Sequence, residues 1–283
     1  MKTFFRNIGI ITLLIFSFVV TEKTSMAVKD NDEIMIEIKK NINNFQTSAD
    51  EAYIEDDTII PGINGKQVDI NKSYENMKRL GYYNSNLIEY EILKPNISVQ
   101  KKYDKYIISG NKNKNMISLI FLVEDNDNID NILNILNEKN VKASFFIDGN
   151  WLEKNNDKSK EIYQMGHNLG NLSYNRNYNS SSFLWMDTII KKVINQNFSY
   201  CYVETKNEEV LKICNMNKDY TILPNIIIKD NYLTNIKNEI KSGSIISLKI
   251  NKELENNLGI IINYIKSKGY ILETLYNHLD ENN

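Results

Sequence analysis

From residue 116 onward, apolar segments of strand length alternate with segments whose apolar residues recur at helical spacing. Strands are predicted at 116–123, 143–147, 199–203, 220–223, 226–228, 244–250 and 270–274, and helices at 129–136, 186–196, 207–215, 232–241 and 254–268. An alternation of this kind is typical of a parallel sheet, either open or rolled into a barrel. The chain of 283 residues is long enough for one large domain or two modest ones.

Two stretches within this region carry a more specific signal. The strand-like run Ala143-Ser144-Phe145-Phe146-Ile147 leads into Asp148-Gly149, and a predicted helix separates it from Gly166-His167-Asn168-Leu169-Gly170-Asn171. Together they resemble the polysaccharide deacetylase (NodB-type) family, whose usual wording at these places is ATFF-x-x-G and GHEIGNH. The resemblance covers about residues 113 to 275 and implies the family's fold, a distorted (β/α) barrel. Here a small α+β accessory segment would precede it.

The family's first motif, usually TFDDG, supplies a catalytic base and a metal-binding Asp. Active members use them, with a divalent metal, to remove acetyl groups from N-acetylated sugars. Aligning on Phe121 places Leu122 and Val123 at the two carboxylate positions, and neither can ionise or ligate. Glu124 and Asp125 lie just beyond, but a two-residue shift moves a side chain about 6.5 Å along a strand.

The family's two metal histidines follow GHEIGNH, four residues apart, and correspond here to Leu172 and Arg176. Leucine has no lone pair, and arginine brings a permanent positive charge that repels a cation. His167 matches the family only at its structural histidine. The resemblance thus predicts that the divalent metal site is lost and that the domain uses no cofactor.

The two remaining motifs also lack their chemical residues. In the motif usually written RPPYG, residues 200–204 stand in place and Tyr200 replaces the arginine. Lys249 stands after the strand that normally precedes the general-acid histidine. We therefore predict no catalytic residue, only vestigial positions. These are Leu122, Val123, Leu172, Arg176, Tyr200 and Lys249.

Aromatic residues cluster in the loops that would surround the vestigial cleft, and flat side chains of this kind stack on sugar rings. The candidates for glycan binding are Trp151, Tyr174, Trp185 and Tyr202, with Tyr178, Phe183 and Tyr200 nearby. The alternative is that these rings simply fill the barrel mouth. The carboxylates of Glu124, Asp125 and Asp127 suit a calcium ion, or they cap the helix that begins near Asn128.

The N-terminal part of the chain indicates export. Lys2 and Arg6 precede a mostly apolar run over residues 8–20, and Ser25-Met26-Ala27 is a small-x-small cleavage signature, so residues 1–27 are predicted to be a signal peptide or an uncleaved anchor. Residues 28–51 are predicted to be a linker. Residues 52–112 form the accessory segment, with a hairpin or tight loop at 61–66, and residues 113–283 form the deacetylase-like domain.

Composition narrows the choice of partners. With a formal net charge of −2 and no basic stripe, the chain has no footprint for nucleic acid, and membrane contact is expected only if the N-terminal segment stays uncleaved. Cys201 and Cys214 fit either a disulfide or two buried thiols. No close-spaced Cys and His pair suggests zinc.

Three functions remain open from the sequence. The first is an exported, inactive deacetylase-like module that binds peptidoglycan or another cell-envelope polysaccharide, or a protein partner. The second is an active carbohydrate deacetylase with a site rebuilt from Glu124, Asp125 and Lys249. The third is a structural envelope protein whose functional contacts come from residues 52–112.

Overall fold

The computed structural model describes residue 12, residues 15–18 and residues 28–282. The predicted signal peptide therefore lies mostly outside the described residues. Within these ranges, no helix combines the length and the apolar character that crossing a membrane requires. The chain divides into two units, one containing residues up to 49 and residues 64–94, the other residues 50–63 and 95–283.

Short strands and helices alternate along most of the chain. The strands are β1 Tyr53–Glu55, β2 Thr58–Ile60, β3 Gly65–Val68, β4 Tyr90–Leu93, β5 Tyr106–Ile107, β6 Met116–Val123, β7 Ser144–Ile147, β8 Asn168–Asn171, β9 Tyr200–Tyr202, β10 Tyr220–Ile222, β11 Ile226–Ile228, β12 Ile245–Lys249 and β13 Ile271–Leu272. The helices are α1 Glu33–Asn41, α2 Ile70–Leu80, α3 Asp130–Glu138, α4 Gly149–Lys154, α5 Asn156–Gln164, α6 Ser180–Ile194, α7 Glu208–Met216, α8 Tyr232–Glu239, α9 Lys252–Ser267 and α10 Leu275–Leu279. Short 3-10 turns occupy Ile42–Asn44, Ser85–Leu87 and Lys112–Lys114.

The first unit packs α1 and α2 together with the antiparallel pair β3 and β4. The prediction that residues 28–51 are a linker is wrong, because Ile34 and Ile38 lie one helical turn apart and are both buried in this unit's core. The Asp32 side chain caps α1 by accepting a hydrogen bond from the Ile34 amide.

The predicted accessory segment 52–112 is not one unit. Residues 50–63 and 95–112 belong to the second unit, because β2 pairs with β5 and β5 pairs with β10 of the large sheet. Of the two alternatives predicted at 61–66, the loop is confirmed, because residues 61–64 connect β2 to β3, whereas the hairpin lies earlier, with its turn at Asp56, which has a positive φ of 51°. Gly62 instead allows close chain approach, because a Cβ there would lie 2.3 Å from the Asp50 carbonyl oxygen.

The second unit is built on one large sheet in the order β1-β2-β5-β10-β9-β8-β7-β6-β12-β11, with β13 also pairing with β6. All its pairings are parallel except β1 with β2. Helices connect the successive parallel strands from β6 to β10, as right-handed crossovers in such sheets require. This mixed α/β architecture, a largely parallel sheet whose strands are joined by helices, agrees with the fold class predicted from the sequence.

Both faces of the sheet are buried, which explains the continuous apolar runs in the sequence. Along β6, Phe121 and Val123 pack in the larger cluster, which also contains the buried faces of α3 and α9. The intervening Ile120 and Leu122 pack on the opposite face, in a second cluster with Phe146 of β7. Cys201 and Cys214 form a disulfide between β9 and α7, which resolves the alternative left open by the sequence.

Candidate functional site at the carboxyl ends of the strands

The carboxyl ends of β6, β9, β11 and β12 meet around a cavity of about 180 Å³. In parallel α/β sheets this edge is where ligands and catalytic groups are usually held. Three vestigial positions, Leu122, Arg176 and Lys249, line the cavity. The remaining lining residues are Glu124, Glu204, Ile227, Ile228, Lys229 and Ser247.

The Arg176 guanidinium is held between two carboxylates. Its Nη2 donates to Glu124 Oε1 at 2.7 Å and its Nη1 donates to Glu204 Oε1 at 2.6 Å, while Lys229 Nζ donates to the other Glu204 oxygen at 2.8 Å. Two cations thus face two carboxylates. We call Glu124, Arg176, Glu204 and Lys229 the charge clamp.

Burial and charge act against each other on these groups. Burial alone would lower the pKa of Arg176, but the hydrogen bond and charge of Glu204, with the charge of Glu124, raise it instead. Burial would raise the pKa of Glu204, but hydrogen bonds from Lys229 and Arg176 lower it. Both groups therefore stay charged, and the clamp is neutral as a set.

The loop that presents Arg176 has an unusual backbone. Ser173, Asn175 and Arg176 all have positive φ, between 50° and 59°, a region that non-glycine residues seldom adopt. The loop is stabilised by side chains that accept from its amides: Asn171 Oδ1 from Ser173 at 2.7 Å and Asp148 Oδ2 from Asn175 at 2.5 Å. Asn171 is the last residue of β8 and Asp148 directly follows β7, so residues at the ends of two strands of the sheet hold the loop that carries Arg176.

Two other vestigial positions are filled by apolar packing. Leu172, at one metal-histidine position, is fully buried in the second cluster, which also contains Leu122. Val123, at the second carboxylate position, lies on the opposite face of β6, in the larger cluster. Its side chain thus does not reach the cavity, because neighbouring residues of a strand point to opposite faces.

Tyr200 is not part of this site. It begins β9, whereas the cavity is reached by Glu204, four residues further along the chain. In the sequence analysis, only Tyr200 among residues 200–204 was assigned to a position of the family's site, that of the arginine. The sequence reasoning therefore missed Glu204 and Lys229, although a charged residue directly after a buried strand is a recognisable signal of an edge position.

The carboxylates after β6 do not converge. Glu124 bonds Arg176, Asp125 pairs with Lys154 at 2.6 Å, and Asp127 accepts a hydrogen bond from the Glu124 amide at 2.7 Å. Burial raises the pKa of Asp127. The expected helix cap at these residues is wrong, because α3 begins only at Asp130 and Asp127 caps the preceding turn.

No donor set for a metal ion is present among the residues that the structure describes, since no three His, Cys, Asp or Glu side chains are grouped suitably. His167 is buried directly before β8, at the opposite end of the strands from the cavity, where its Nδ1 accepts a hydrogen bond from the Ala143 amide at 3.1 Å. Burial lowers the pKa of His167 to about 4. The residues present therefore do not fit the divalent metal of active family members, which requires neutral histidines and carboxylates with an open position.

The four candidate glycan-binding aromatics fall into two pairs. Trp151 and Tyr202 are each only 2% exposed, with Trp151 Nε1 donating to the Asp127 carbonyl and the Tyr202 hydroxyl bonded to Ser247 at 2.8 Å. These two are core residues, and the prediction that they contact glycan is wrong. Trp185, in contrast, is 42% exposed, and its ring lies 5.8 Å from that of Tyr174.

Comparison with known proteins places this geometry in context. Residues 109–221 match the family model described as polysaccharide deacetylase. A curated relative, the uncharacterized protein YlxY of Bacillus subtilis, is 35% identical over 117 residues, which is 41% of this chain and 37% of the relative. The chain thus spans just over a third of that relative.

Solved structures give a longer match. The pseudoenzyme BA3943 of Bacillus anthracis, of the CE4 family, is 26% identical with a TM-score of 0.66, covering 89% of this chain and 96% of that one. A mutant of BA3943 with restored enzymatic activity matches with 25% identity and the same TM-score, covering 89% of this chain and 99% of that one. A family 4 carbohydrate esterase of Bacillus anthracis matches with 25% identity and a TM-score of 0.53, over 62% of this chain and 87% of that one.

Proposed function

We propose that this chain carries a catalytically inactive polysaccharide deacetylase domain of the CE4 type and serves as an exported module that binds a cell-wall glycan. One observation carries the inactive assignment. At the edge where active members hold a divalent metal, Arg176 contributes a fixed positive charge that is already neutralised by Glu124 and Glu204.

The charge clamp opposes metal-dependent hydrolysis in two ways. A guanidinium stays protonated at every accessible pH, so it repels an approaching divalent cation. It also engages the two carboxylates nearest the cavity, which leaves neither one as an unpaired base for a water molecule. The BA3943 neighbour is itself described as a pseudoenzyme, which supports the same conclusion for this chain.

The rival function, an active deacetylase with a rebuilt site, requires Glu124, Asp125 and Lys249 to act together. In the structure, Asp125 pairs with Lys154 and does not line the cavity that Glu124 and Lys249 share. Catalytic groups must lie within hydrogen-bond reach of the reacting atoms. The three groups therefore do not assemble into one site.

A metal and acetate assay tests the inactive assignment. We expect the purified wild-type protein to bind less than a tenth of an equivalent of zinc after dialysis and to release no acetate from N-acetylated chitooligosaccharides. A variant carrying Leu172→His and Arg176→His should bind zinc measurably, since it removes the guanidinium and places two imidazoles at the family's metal-histidine positions. One equivalent of zinc on the wild-type protein together with acetate release would establish the rival function.

Glycan binding rests on Tyr174 and Trp185, which present two adjacent rings next to the loop that holds Arg176. An exposed indole packed against a second ring suits the apolar face of a sugar. We expect the protein to sediment with insoluble peptidoglycan and Trp185→Ala to reduce the bound fraction about 5-fold or more, as loss of a stacking ring does. Leu184→Ala, at the neighbouring exposed helix position, is the matched control and should bind like wild type.

The pull-down also separates the third function. If the wild-type protein is not retained on peptidoglycan or chitin, the glycan-binding proposal fails, and the envelope role moves to contacts made elsewhere on the chain. Export is supported by the basic, apolar and small-x-small pattern of residues 1–27. Recovery of the protein outside the cytoplasm, compared with a chain lacking residues 1–27, tests it.

A further inference from the structure

A second cavity, of about 310 Å³, lies at the opposite edge of the same sheet. Its walls include the first residues of β9 and β10, Tyr200 and Tyr220, and residues of α10 and of the chain after it. In barrels of this kind the amino-terminal edge is not where catalysis occurs. A ligand site here would therefore be separate from the vestigial active site.

Aromatic rings dominate the walls of this cavity. The rings of Phe198 and Tyr220 meet edge to face at 5.3 Å, those of Tyr103 and Tyr220 lie 4.8 Å apart, and Phe198 stacks with Tyr276 at 6.4 Å. Tyr276 is 44% exposed and so leaves the cavity open to a ligand. The volume lies at the lower end of the ~300–1,000 Å³ typical of small-molecule sites.

One polar group in the cavity wall makes no hydrogen bond within the described part of the chain. Tyr200 is only 6% exposed as a whole residue, but it lines the cavity and its hydroxyl is not among the enclosed polar atoms without a partner, so the hydroxyl is reached from the cavity. The Tyr220 hydroxyl, in contrast, already accepts a hydrogen bond from the Lys101 amide at 3.2 Å. Burial raises the pKa of Tyr200, so its hydroxyl remains a neutral donor and acceptor. Because the hydroxyl opens onto the cavity and is not engaged by the protein, it is a candidate ligand contact.

We propose that this cavity binds a small planar aromatic molecule carrying one hydrogen-bonding group, which pairs with the Tyr200 hydroxyl while its ring packs against Phe198, Tyr220 and Tyr276. A sugar fits less well, because each of its hydroxyl groups would need a partner, whereas eight of the twelve wall residues are aromatic or aliphatic and the four others are Gln100, Lys101, Asp280 and Glu281. The apolar part of the wall is completed by Val99, Ile107 and Leu279. The ligand site depends on neither the inactive assignment nor glycan binding.

Titration of the full chain with three probes tests the site: 2-naphthol, naphthalene and N-acetylglucosamine, followed by ligand-observed NMR. We expect 2-naphthol to bind with a Kd of about 0.1 mM, in keeping with the usual efficiency of ligands of this size. Tyr200→Phe should weaken 2-naphthol about 5-fold and leave naphthalene unchanged, because only the hydrogen bond is removed. Tyr276→Ala should weaken both probes, and its side chain is exposed enough for the variant to fold.

Tyr53→Ala is the matched control, since Tyr53 is an exposed tyrosine on β1 outside the cavity and should affect neither probe. No binding of either aromatic probe at 2 mM would overturn the proposal. So would equal loss of 2-naphthol and naphthalene in Tyr200→Phe, or tighter binding of N-acetylglucosamine than of 2-naphthol.

Discussion

The two edges of the parallel sheet deal with buried charge in opposite ways. At the carboxyl edge, Arg176 and Lys229 face Glu124 and Glu204, so positive and negative groups are equal in number. At the amino edge, Lys191 alone lies 2.8 Å from both Asp187 and Asp219, which leaves one carboxylate in excess. The charges of the clamp at the carboxyl edge thus balance, whereas the group at the amino edge has one more carboxylate than it has cations.

The largest effect is expected from reversing the charge at the centre of the clamp. Arg176→Glu would place a third carboxylate beside Glu124 and Glu204, and we expect the free energy of unfolding to fall by about 2–3 kcal/mol at pH 7, somewhat less than for a fully buried pair. Chemical denaturation of wild type and variant measures the loss. Stability of the variant should partly recover at pH 4, where the carboxylates take up protons.

Arg176→Lys is the matched control for this prediction. It keeps the positive charge but loses the planar fork that reaches both carboxylates, so a smaller loss of about 1 kcal/mol is expected. If Arg176→Glu is as stable as wild type, the clamp contributes nothing to the free energy of unfolding.

The unbalanced amino edge should make stability depend on pH. Burial, and next the charge of Asp187, raises the pKa of Asp219 to about 7. An acid whose pKa is higher in the folded state binds its proton more tightly there, so its contribution to stability is present at low pH and is lost as the pH rises through about 7. Wild type should lose about 1 kcal/mol more than Asp219→Asn between pH 6 and pH 8.

Denaturant midpoints at four pH values between 6 and 8 would check this slope. The buried histidines His167 and His278 have pKa values lowered by burial to about 4 and about 3, and their contribution is common to both proteins. Asp157→Asn, at a carboxylate whose side chain is 99% exposed, should retain the wild-type slope. If stability falls with pH equally steeply in wild type and Asp219→Asn, the raised pKa of Asp219 does not affect stability and the prediction is wrong.

The strands of the sheet could be predicted from the sequence more completely than the contacts within the site. Strand β6 was predicted at its observed bounds because a continuous apolar run of eight residues signals a strand buried on both faces. The loss of ligands at Leu172 and Arg176 was readable from side-chain chemistry. What the sequence does not show is that Glu204 and Lys229 arrive from two other strands to neutralise Arg176, because that depends on sheet order.

The aromatic residues proposed for glycan binding show that residue type alone does not predict which side chains are exposed. Trp151, Tyr202 and Trp185 have similar chemistry in the sequence, yet the first two are buried and the third is exposed. Ring chemistry alone does not reveal burial, which depends on the direction of each side chain. Helix α1 was missed for the opposite reason: its buried face is narrow, with Ile34, Met35 and Ile38, and the surrounding composition is polar.

A smaller effect is expected beneath the clamp, at the carboxyl end of β9. The Tyr202 hydroxyl shares a hydrogen bond with Ser247, and both residues are buried below the Arg176 guanidinium, which lies 5.9 Å from the Tyr202 ring centroid. Tyr202→Phe keeps the ring but leaves the Ser247 hydroxyl unpaired, so unfolding should become easier by about 0.5–1 kcal/mol. The double variant Tyr202→Phe with Ser247→Ala should recover part of this loss.

The smallest effect on stability is expected for substitution of Lys249, which tests whether this residue belongs to the charge clamp. Lys249 lines the same cavity and occupies the position of the family's acid histidine, yet its ammonium forms no ion pair with any described residue. If the clamp is complete with Glu124, Arg176, Glu204 and Lys229, Lys249→Ala should change the free energy of unfolding by less than about 0.5 kcal/mol, as exposed substitutions usually do. Lys229→Ala, which removes a bonded lysine from the same edge, should cost more in the same denaturation experiment. If Lys249→Ala and Lys229→Ala lower the free energy of unfolding equally, Lys249 also stabilises this edge through its charge. The clamp would then include a third cation, and its positive charges would outnumber its carboxylates.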